Sequence, residues 1–145
     1  MYSKQINYFK EDIRFRFTDS EKIFDWISKA IKNEGFRKGE INIIFCSDAY
    51  LRKMNKQYLQ HDYYTDIITF ETGDDPSIVN GDLFISIDRV KANAETLRIQ
   101  FRDELQRVII HGILHLCNYS DKSSKKQSEM RTREDYYLGR RKWLK

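Results

Sequence analysis

The apolar and polar residues of this chain follow two periods, one typical of strands and the other of helices. Residues 13–17 alternate between apolar and basic side chains, which predicts a first strand with one polar face. Helix-capping residues follow at 18–20, and apolar residues then recur at helical spacing, which predicts a helix that ends at Gly35. Residues 40–46 are mostly apolar and predict a buried strand.

The same alternation of strands and helices continues along the rest of the chain. The later predicted elements are a helix from 47 to about 58, a strand at 66–70, a loop at 73–81, a strand at 82–87, a helix capped by Asp88 that runs to 97, and helices at 102–117 and 125–138. This order favours an α/β fold with a four-stranded mixed sheet and about five helices. A chain of 145 residues suits one domain, so residues 1–145 are predicted to form a single unit.

Composition narrows the class of protein. With 40% apolar and 33% charged residues, six glycines and one proline, the chain is neither disordered nor collagenous. No apolar run is long enough to span a membrane, and the N-terminal residues lack the apolar stretch of a signal peptide. Cys46 and Cys117 are not in a CxxC pair and are expected to be free thiols. We therefore expect a cytoplasmic protein that does not bind membranes.

The net charge of +4 is unevenly distributed. Nine of the 26 Lys and Arg residues, but only four of the 22 acidic residues, follow Ser120. The excess positive charge could belong to a solvated helix, or it could form a surface that faces the phosphates of a nucleic acid. Charge alone does not decide between the two.

The strongest chemical signal is a pair of histidines in the helix predicted at 102–117. His111 and His115 are four residues apart, so their side chains lie on one face, one turn apart, as two ligands of one metal ion would. The helix is otherwise strongly apolar, so a pair of hydrogen-bonded core histidines is the alternative. Gly112 follows the first histidine where a metalloprotease would have glutamate, which argues against a peptidase. A glycine inside the helix indicates close approach of a neighbouring backbone or a substrate.

A catalytic zinc usually has three protein ligands. Asp121 is the nearest third candidate, because Asn118 can stop the helix in a left-handed conformation and let the chain turn back. Asp121 could instead be the N-cap of the next helix. Cys117 points to another helix face, and His61 could reach the pair only through the fold.

The sequence HGILHL at His111 to Leu116 resembles the signature HGxLHLxGYDH of the YbeY family of bacterial endoribonucleases, which act in ribosomal RNA maturation. Upstream, MNKQY followed by TDIITF is similar to the family's LNxxY and TDVLSF, and GDLFIS is similar to its GDIxIS strand. Glu104 matches an acidic position that is common in the family. The resemblance covers residues 40 to 138 in order and spacing, and it implies the family's zinc-hydrolase-like fold.

Two positions depart from the family pattern. Asp121 stands where the family has its third zinc-binding histidine, which would widen the acceptable metals to manganese, nickel or iron. Leu59 stands where the family has an arginine that is thought to face the RNA phosphate. Either another cation replaces that arginine, or the metal alone stabilises the charge.

The resemblance implies a zinc-dependent endoribonuclease that cuts single-stranded RNA during ribosomal RNA processing. His111, His115 and Asp121 would hold one zinc ion, and Glu104 would orient an imidazole unless it is only a solvated acid of the first helical turn. Arg131 and Arg133 would contact RNA phosphates. Partners would be single-stranded or ribosomal RNA and ribosomal proteins. The alternative is a non-catalytic RNA- or ribosome-binding module with a degraded or structural metal site.

Overall fold

The computed structural model describes residues 5–61 and 64–144, so Lys145 of the basic C-terminal segment lies outside it. The described residues form four strands and five helices around one sheet. In chain order these are β1 (Ile6–Lys10), α1 (Ser20–Asn33), β2 (Arg37–Cys46), α2 (Asp48–Leu59), β3 (Ile67–Glu71), β4 (Ile78–Ser86), α3 (Ile87–Leu97), α4 (Phe101–Leu116) and α5 (Ser124–Leu138). The predicted α/β class with a four-stranded mixed sheet and five helices is confirmed.

The strands lie in the order β1-β2-β4-β3. β1 and β4 are both parallel to the central strand β2, and β3 is antiparallel to β4. Ile43 of β2 lies beside Tyr8 on one side and Leu83 on the other. The sheet is therefore mixed, with its antiparallel strand at one edge.

Helices cover both faces of this sheet. One face of β2 and β4 packs against α1 and α4, where Ile27 and Ile113 are fully buried. The opposite face carries a smaller cluster in which Leu51 of α2 contacts Cys46 and Ile68. Because α4 lies in the larger core, the histidine helix is fixed directly on the sheet.

The strand predicted at residues 13–17 is wrong. The first strand is β1, and residues 13–17 are irregular. The alternation there places Phe15 and Phe17 against Phe45, with ring centroids 5.0 and 4.8 Å away. The alternation at residues 13–17 therefore predicts correctly which side chains face the core, but the backbone of this segment does not join the sheet.

Several predicted boundaries also differ from the structure. The loop predicted at 73–81 is shorter, because β4 begins at Ile78. Asn80 of β4 accepts a hydrogen bond from the backbone N–H of Glu40 at 2.8 Å, beside a register shift in β2. Helix α3 is capped by Ser86, whose side chain accepts from the N–H of Arg89, and not by Asp88. The hydroxyl of a residue two positions before the predicted cap thus bonds to a backbone N–H of the first helical turn, which has no partner within the helix.

The two cysteines are unpaired and buried, as predicted. Burial raises the pKa of Cys46 and Cys117 to about 12, so neither is a thiolate at neutral pH. Among the described helices, none combines the length and the apolar character needed to cross a bilayer.

Candidate metal centre

Helix α4 presents two imidazoles at the surface of the core. Its intervening residues are buried, and Gly112 lets the helix lie close to the sheet. A Cβ atom on Gly112 would lie 2.7 Å from Cδ1 of Ile67 and 3.0 Å from Cδ2 of Leu83. The close approach predicted for this glycine is confirmed, but the neighbours are side chains of the sheet and not a backbone or a substrate.

The chain after α4 turns back over the histidines. Asn118 adopts the predicted left-handed conformation, with φ at 75°. The turn brings a carboxylate oxygen of Asp121 to 3.5 Å from Nε2 of His111 and 3.4 Å from Nε2 of His115. The two Nε2 atoms are 3.0 Å apart. Among the described residues, this is the one group of three such side chains that could hold a metal ion together.

The three distances fit a small tetrahedral ion. Zinc bonds of roughly 2.0–2.1 Å in a tetrahedron place neighbouring ligand atoms about 3.3 Å apart. The ligand atoms of His111, His115 and Asp121 are 3.0 to 3.5 Å apart. A zinc-sized ion therefore fits between them with little movement of the side chains.

The second nitrogen of each imidazole is already occupied. Nδ1 of His115 lies 3.0 Å from the carbonyl oxygen of Tyr119, which can only accept, so this nitrogen carries the proton. Nδ1 of His111 lies 2.6 Å from a carboxylate oxygen of Glu134. In the neutral form both histidines thus direct an Nε2 lone pair to the same point, as metal ligands require.

Glu134 of α5 is the main partner of His111. It is buried, and its other oxygen accepts from Arg107 at 2.9 Å, while Arg107 also donates to Asp135 at 2.8 Å. Burial opposes protonation of His111, but the contact with Glu134 outweighs it and raises the pKa of His111. Burial and the neighbouring charge of His111 lower the pKa of His115. The site therefore favours a positive charge on His111 over one on His115.

Asp121 does not cap the next helix. The side chain of Ser123 accepts from the N–H of Lys126 and caps α5. The carboxylate of Asp121 faces the histidines, while its backbone carbonyl accepts from Gln127 at 3.0 Å. The helix-cap alternative is wrong, and the position is free to act as a ligand.

The expected contact between Glu104 and an imidazole is absent. Glu104 is buried, and one of its oxygens has no hydrogen-bond partner among residues 5–61 and 64–144. Glu134 takes the imidazole contact instead, and sequence reasoning missed it because the two residues are 23 positions apart. The available signal was the spacing of Met130, Glu134 and Tyr137, which places an acid on the buried stripe of α5.

The two arginines predicted to contact phosphate lie in different places. Arg131 lines a cavity of about 360 Å³ together with His111 and Asp121, and it forms no hydrogen bond or ion pair within the described part of the chain. Arg133 donates to Glu34 at 2.8 Å on another side of α5. The structure therefore brings Arg131, but not Arg133, to the histidine site.

Leu59 is the last residue of α2 and is 42% exposed. It lines a shallow cavity with His61 and Ile67, and Ile67 also lines the histidine cavity. The position that carries an arginine in the family pattern thus opens beside the site.

The chain resembles one family of proteins over almost its whole length. The family model for Endoribonuclease YbeY matches residues 5–142. Endoribonuclease YbeY of Cytophaga hutchinsonii is 46% identical over 143 residues, which are 99% of this chain and 100% of the relative. Endoribonuclease YbeY of Porphyromonas gingivalis is 45% identical over 134 residues, which are 92% of this chain and 88% of the relative.

A solved structure shares the fold. Protein TM1509 of Thermotoga maritima matches with a TM-score of 0.64 and 26% sequence identity, covering 92% of this chain and 86% of that one.

Proposed function

The chain belongs to the endoribonuclease YbeY family and is an enzyme of that hydrolytic class, and from this premise we propose that it cuts single-stranded RNA during ribosomal RNA maturation with the help of one zinc ion. His111, His115 and Asp121 would hold the ion. Its partners would be ribosomal RNA precursors and ribosomal proteins, and its place of action the cytoplasm.

One observation carries the metal assignment. The Nδ1 atoms of His111 and His115 are both engaged by acceptors, so both Nε2 lone pairs converge within 3.5 Å of a carboxylate oxygen of Asp121. Two core histidines held only for packing would have no need of a third, anionic group at that point. The chemistry supplied by a bound zinc ion is polarisation of a phosphoryl oxygen and activation of a water molecule.

The other residues of the cavity have separate tasks. Glu134 holds the ring of His111 in one orientation and increases the basicity of its Nε2. Arg131, which forms no hydrogen bond or ion pair with the described residues, would contact the RNA phosphate and take over from the arginine that Leu59 replaces. His115 is oriented by the carbonyl of Tyr119 in the turn after α4.

Metal analysis combined with RNA cleavage tests this proposal. We expect the purified protein to carry about one zinc ion per chain and to cut a single-stranded RNA in preference to a duplex of the same sequence. His111→Ala and His115→Ala should lose both the ion and the cleavage.

His61→Ala is the matched control for metal content, because His61 lies outside the three-residue cluster. It should keep the zinc ion. If the wild-type protein binds RNA but neither holds a metal ion nor cuts, it acts as a binding module and the catalytic proposal is wrong.

A further inference from the structure

Glu104 is an unusual residue within the histidine cavity. It is 4% exposed, and its Oε1 atom accepts no hydrogen bond from any described residue. A buried acceptor that is left without a partner costs about 1–3 kcal/mol, and more when it is charged. Since Glu104 lines the cavity of about 360 Å³, whatever enters that cavity can compensate its charge.

Asp66 is a second carboxylate on the wall of the same cavity. It lies just before β3, and its carboxylate accepts a hydrogen bond from the side chain of Asn93 at 3.4 Å. No hydrogen bond joins Asp66 to Glu104 in the described part of the chain, so the two do not share a proton directly. Burial raises the pKa of both carboxyl groups, and the charge of Asp66 raises that of Glu104 further.

The charges of the cavity do not balance. Its acidic residues are Asp66, Glu104, Asp121 and Glu134, and its arginines are Arg107 and Arg131. Arg107 is committed to Glu134 and Asp135 at 2.9 and 2.8 Å. A zinc ion at the histidines would carry one positive charge more than Asp121 neutralises, and together with Arg131 it would match the charges of Asp66 and Glu104 until RNA binds. An RNA phosphate would add a further negative charge.

We propose that Asp66 and Glu104 bind a second divalent cation, of the hard, oxygen-preferring class of Mg²⁺ and Mn²⁺, in the cavity beside the histidine cluster. The two residues offer only oxygen, which these ions prefer, whereas zinc favours the nitrogen-containing set of His111, His115 and Asp121. Mg²⁺ is typically held by one or two carboxylates and completes its shell with water and phosphate oxygens. The inference rests on the proposed function in one respect: the phosphate oxygens would come from the RNA.

Manganese binding to the zinc-loaded protein tests the second site directly. Paramagnetic resonance of free Mn²⁺ measures the uptake while zinc occupies the histidine cluster. We expect one Mn²⁺ per wild-type chain, and a loss of affinity by roughly tenfold or more in Glu104→Gln and in Asp66→Asn, since each removes one of two anionic ligands. Both variants should keep their zinc ion.

Glu95→Gln is the matched control, because Glu95 is an exposed acid on α3. It should bind Mn²⁺ like the wild type. Thermal unfolding gives a second readout: Mn²⁺ should raise the melting temperature of the wild-type protein, whereas Glu104→Gln should melt higher than wild type without Mn²⁺ and respond little to it, because the amide removes an unpaired buried charge.

Zinc-loaded wild-type protein that takes up no Mn²⁺ overturns the second site, as does equal uptake by Glu104→Gln. If Glu104→Gln binds Mn²⁺ normally but loses RNA affinity, Glu104 contacts the substrate itself and the cation assignment is wrong. Failure of the zinc proposal gives a different result, because the protein would then lack zinc whether or not Asp66 and Glu104 are substituted.

Discussion

An aspartate among two histidines changes the charge of the ligand set. Two neutral imidazoles and the Asp121 carboxylate would leave a bound divalent ion with a net charge of +1, whereas three imidazoles would leave +2. An ion with less residual charge attracts a phosphoryl oxygen less strongly. The adjacent Arg131 offers a positive charge in the same cavity that partly offsets this difference.

Substitutions at Asp121 separate its charge from its size. Asp121→Ala and Asp121→Asn should each weaken zinc binding by roughly a hundredfold or more, because both remove the anionic ligand. Asp121→His should retain the ion. Bound zinc, measured after dialysis against a weak chelator, distinguishes the three variants.

The melting temperature of the metal-free proteins provides the control for Asp121. Since Ser123 caps α5, the loss of about 1 kcal/mol expected when a helix cap is removed should not occur in Asp121→Ala. Full zinc retention by Asp121→Asn contradicts a role for the charged carboxylate.

Glu34 joins three parts of the chain through a second polar cluster. Its carboxylate accepts from the hydroxyl of Tyr119 at 2.9 Å, from Arg133 at 2.8 Å and, in a short contact, from the hydroxyl of Tyr137. Burial favours the protonated form of Glu34, but these donors outweigh it and lower the pKa of the carboxyl below its usual value.

The lowered pKa of Glu34 predicts a specific acid sensitivity. The unfolded chain binds a proton at a higher pH than the folded one, so the stabilisation is complete above the unfolded pKa of about 4.3 and is lost as the pH falls through the folded pKa. Glu34→Gln should lower the free energy of unfolding by about 1–3 kcal/mol at pH 7 and flatten its fall below pH ~4. Urea unfolding at a series of pH values measures both effects.

Glu40→Gln is the matched control, because Glu40 is an exposed acid. It should change neither the free energy of unfolding at neutral pH nor the fall of that free energy in acid. A pH dependence in Glu34→Gln as steep as in wild type rules out this account of the cluster.

At the scale of elements, Gly81 sets the distance between α4 and the sheet. A Cβ atom at this position of β4 would lie 2.8 Å from the carbonyl oxygen of Phe70 and 2.8 Å from Cδ2 of Leu116. The carbonyl belongs to the neighbouring strand and cannot rotate away as a side chain can. Gly81 is therefore required by the contact of β4 with both β3 and α4.

Gly81→Ala should destabilise the protein by about 1–3 kcal/mol, because the new methyl group must push a strand or the end of the histidine helix aside. Gly139→Ala is the comparison, since its nearest neighbours would be 3.5 Å away in ordinary contact. Thermal unfolding of the two variants measures the difference. If both melt like the wild type, the sheet accommodates the methyl group and Gly81 does not set the spacing.

The sequence predicts the elements that are determined by residues close together in the chain. The period of apolar residues and the caps locate α2, α4 and α5 to within one or two positions, and Asn118 signals the turn that brings Asp121 back. β1 has no comparable signal, because Ile6 is its one buried residue and its pairing with β2 joins distant parts of the chain. The contact between Glu134 and His111 is missed for the same reason, since no local pattern specifies how α5 docks.

Over the whole molecule, the C-terminal excess of positive charge is only partly directed to solvent. Arg133 is paired with Glu34, and Arg141 donates to Asp103 at 2.9 Å. These side chains stabilise the packing of α5 and the residues after it. Arg131, by contrast, has no such partner within the described residues and lines the cavity of the candidate site.

This division predicts different effects on RNA binding. Arg131→Gln should reduce the slope of log affinity against log salt by about 0.7, the value of one phosphate contact on a single strand. Arg133→Gln should leave the slope unchanged and lower the melting temperature, because it removes a partner of Glu34. Binding of a single-stranded RNA to the metal-free proteins, where cleavage does not interfere, measures the slopes. Equal slopes for wild type and Arg131→Gln exclude Arg131 from phosphate binding.

Helix α5 is held in place largely by polar groups, since only Met130, Glu134 and Tyr137 are buried along it. A helix with so little apolar contact detaches at a lower free energy than the core beneath it. Because the residue that orients His111 leaves with the helix, each local opening also loosens one ligand of the ion. The opening of α5 should therefore limit the rate of metal release. A substitution that speeds amide hydrogen exchange along α5 should also speed the loss of zinc to a chelator.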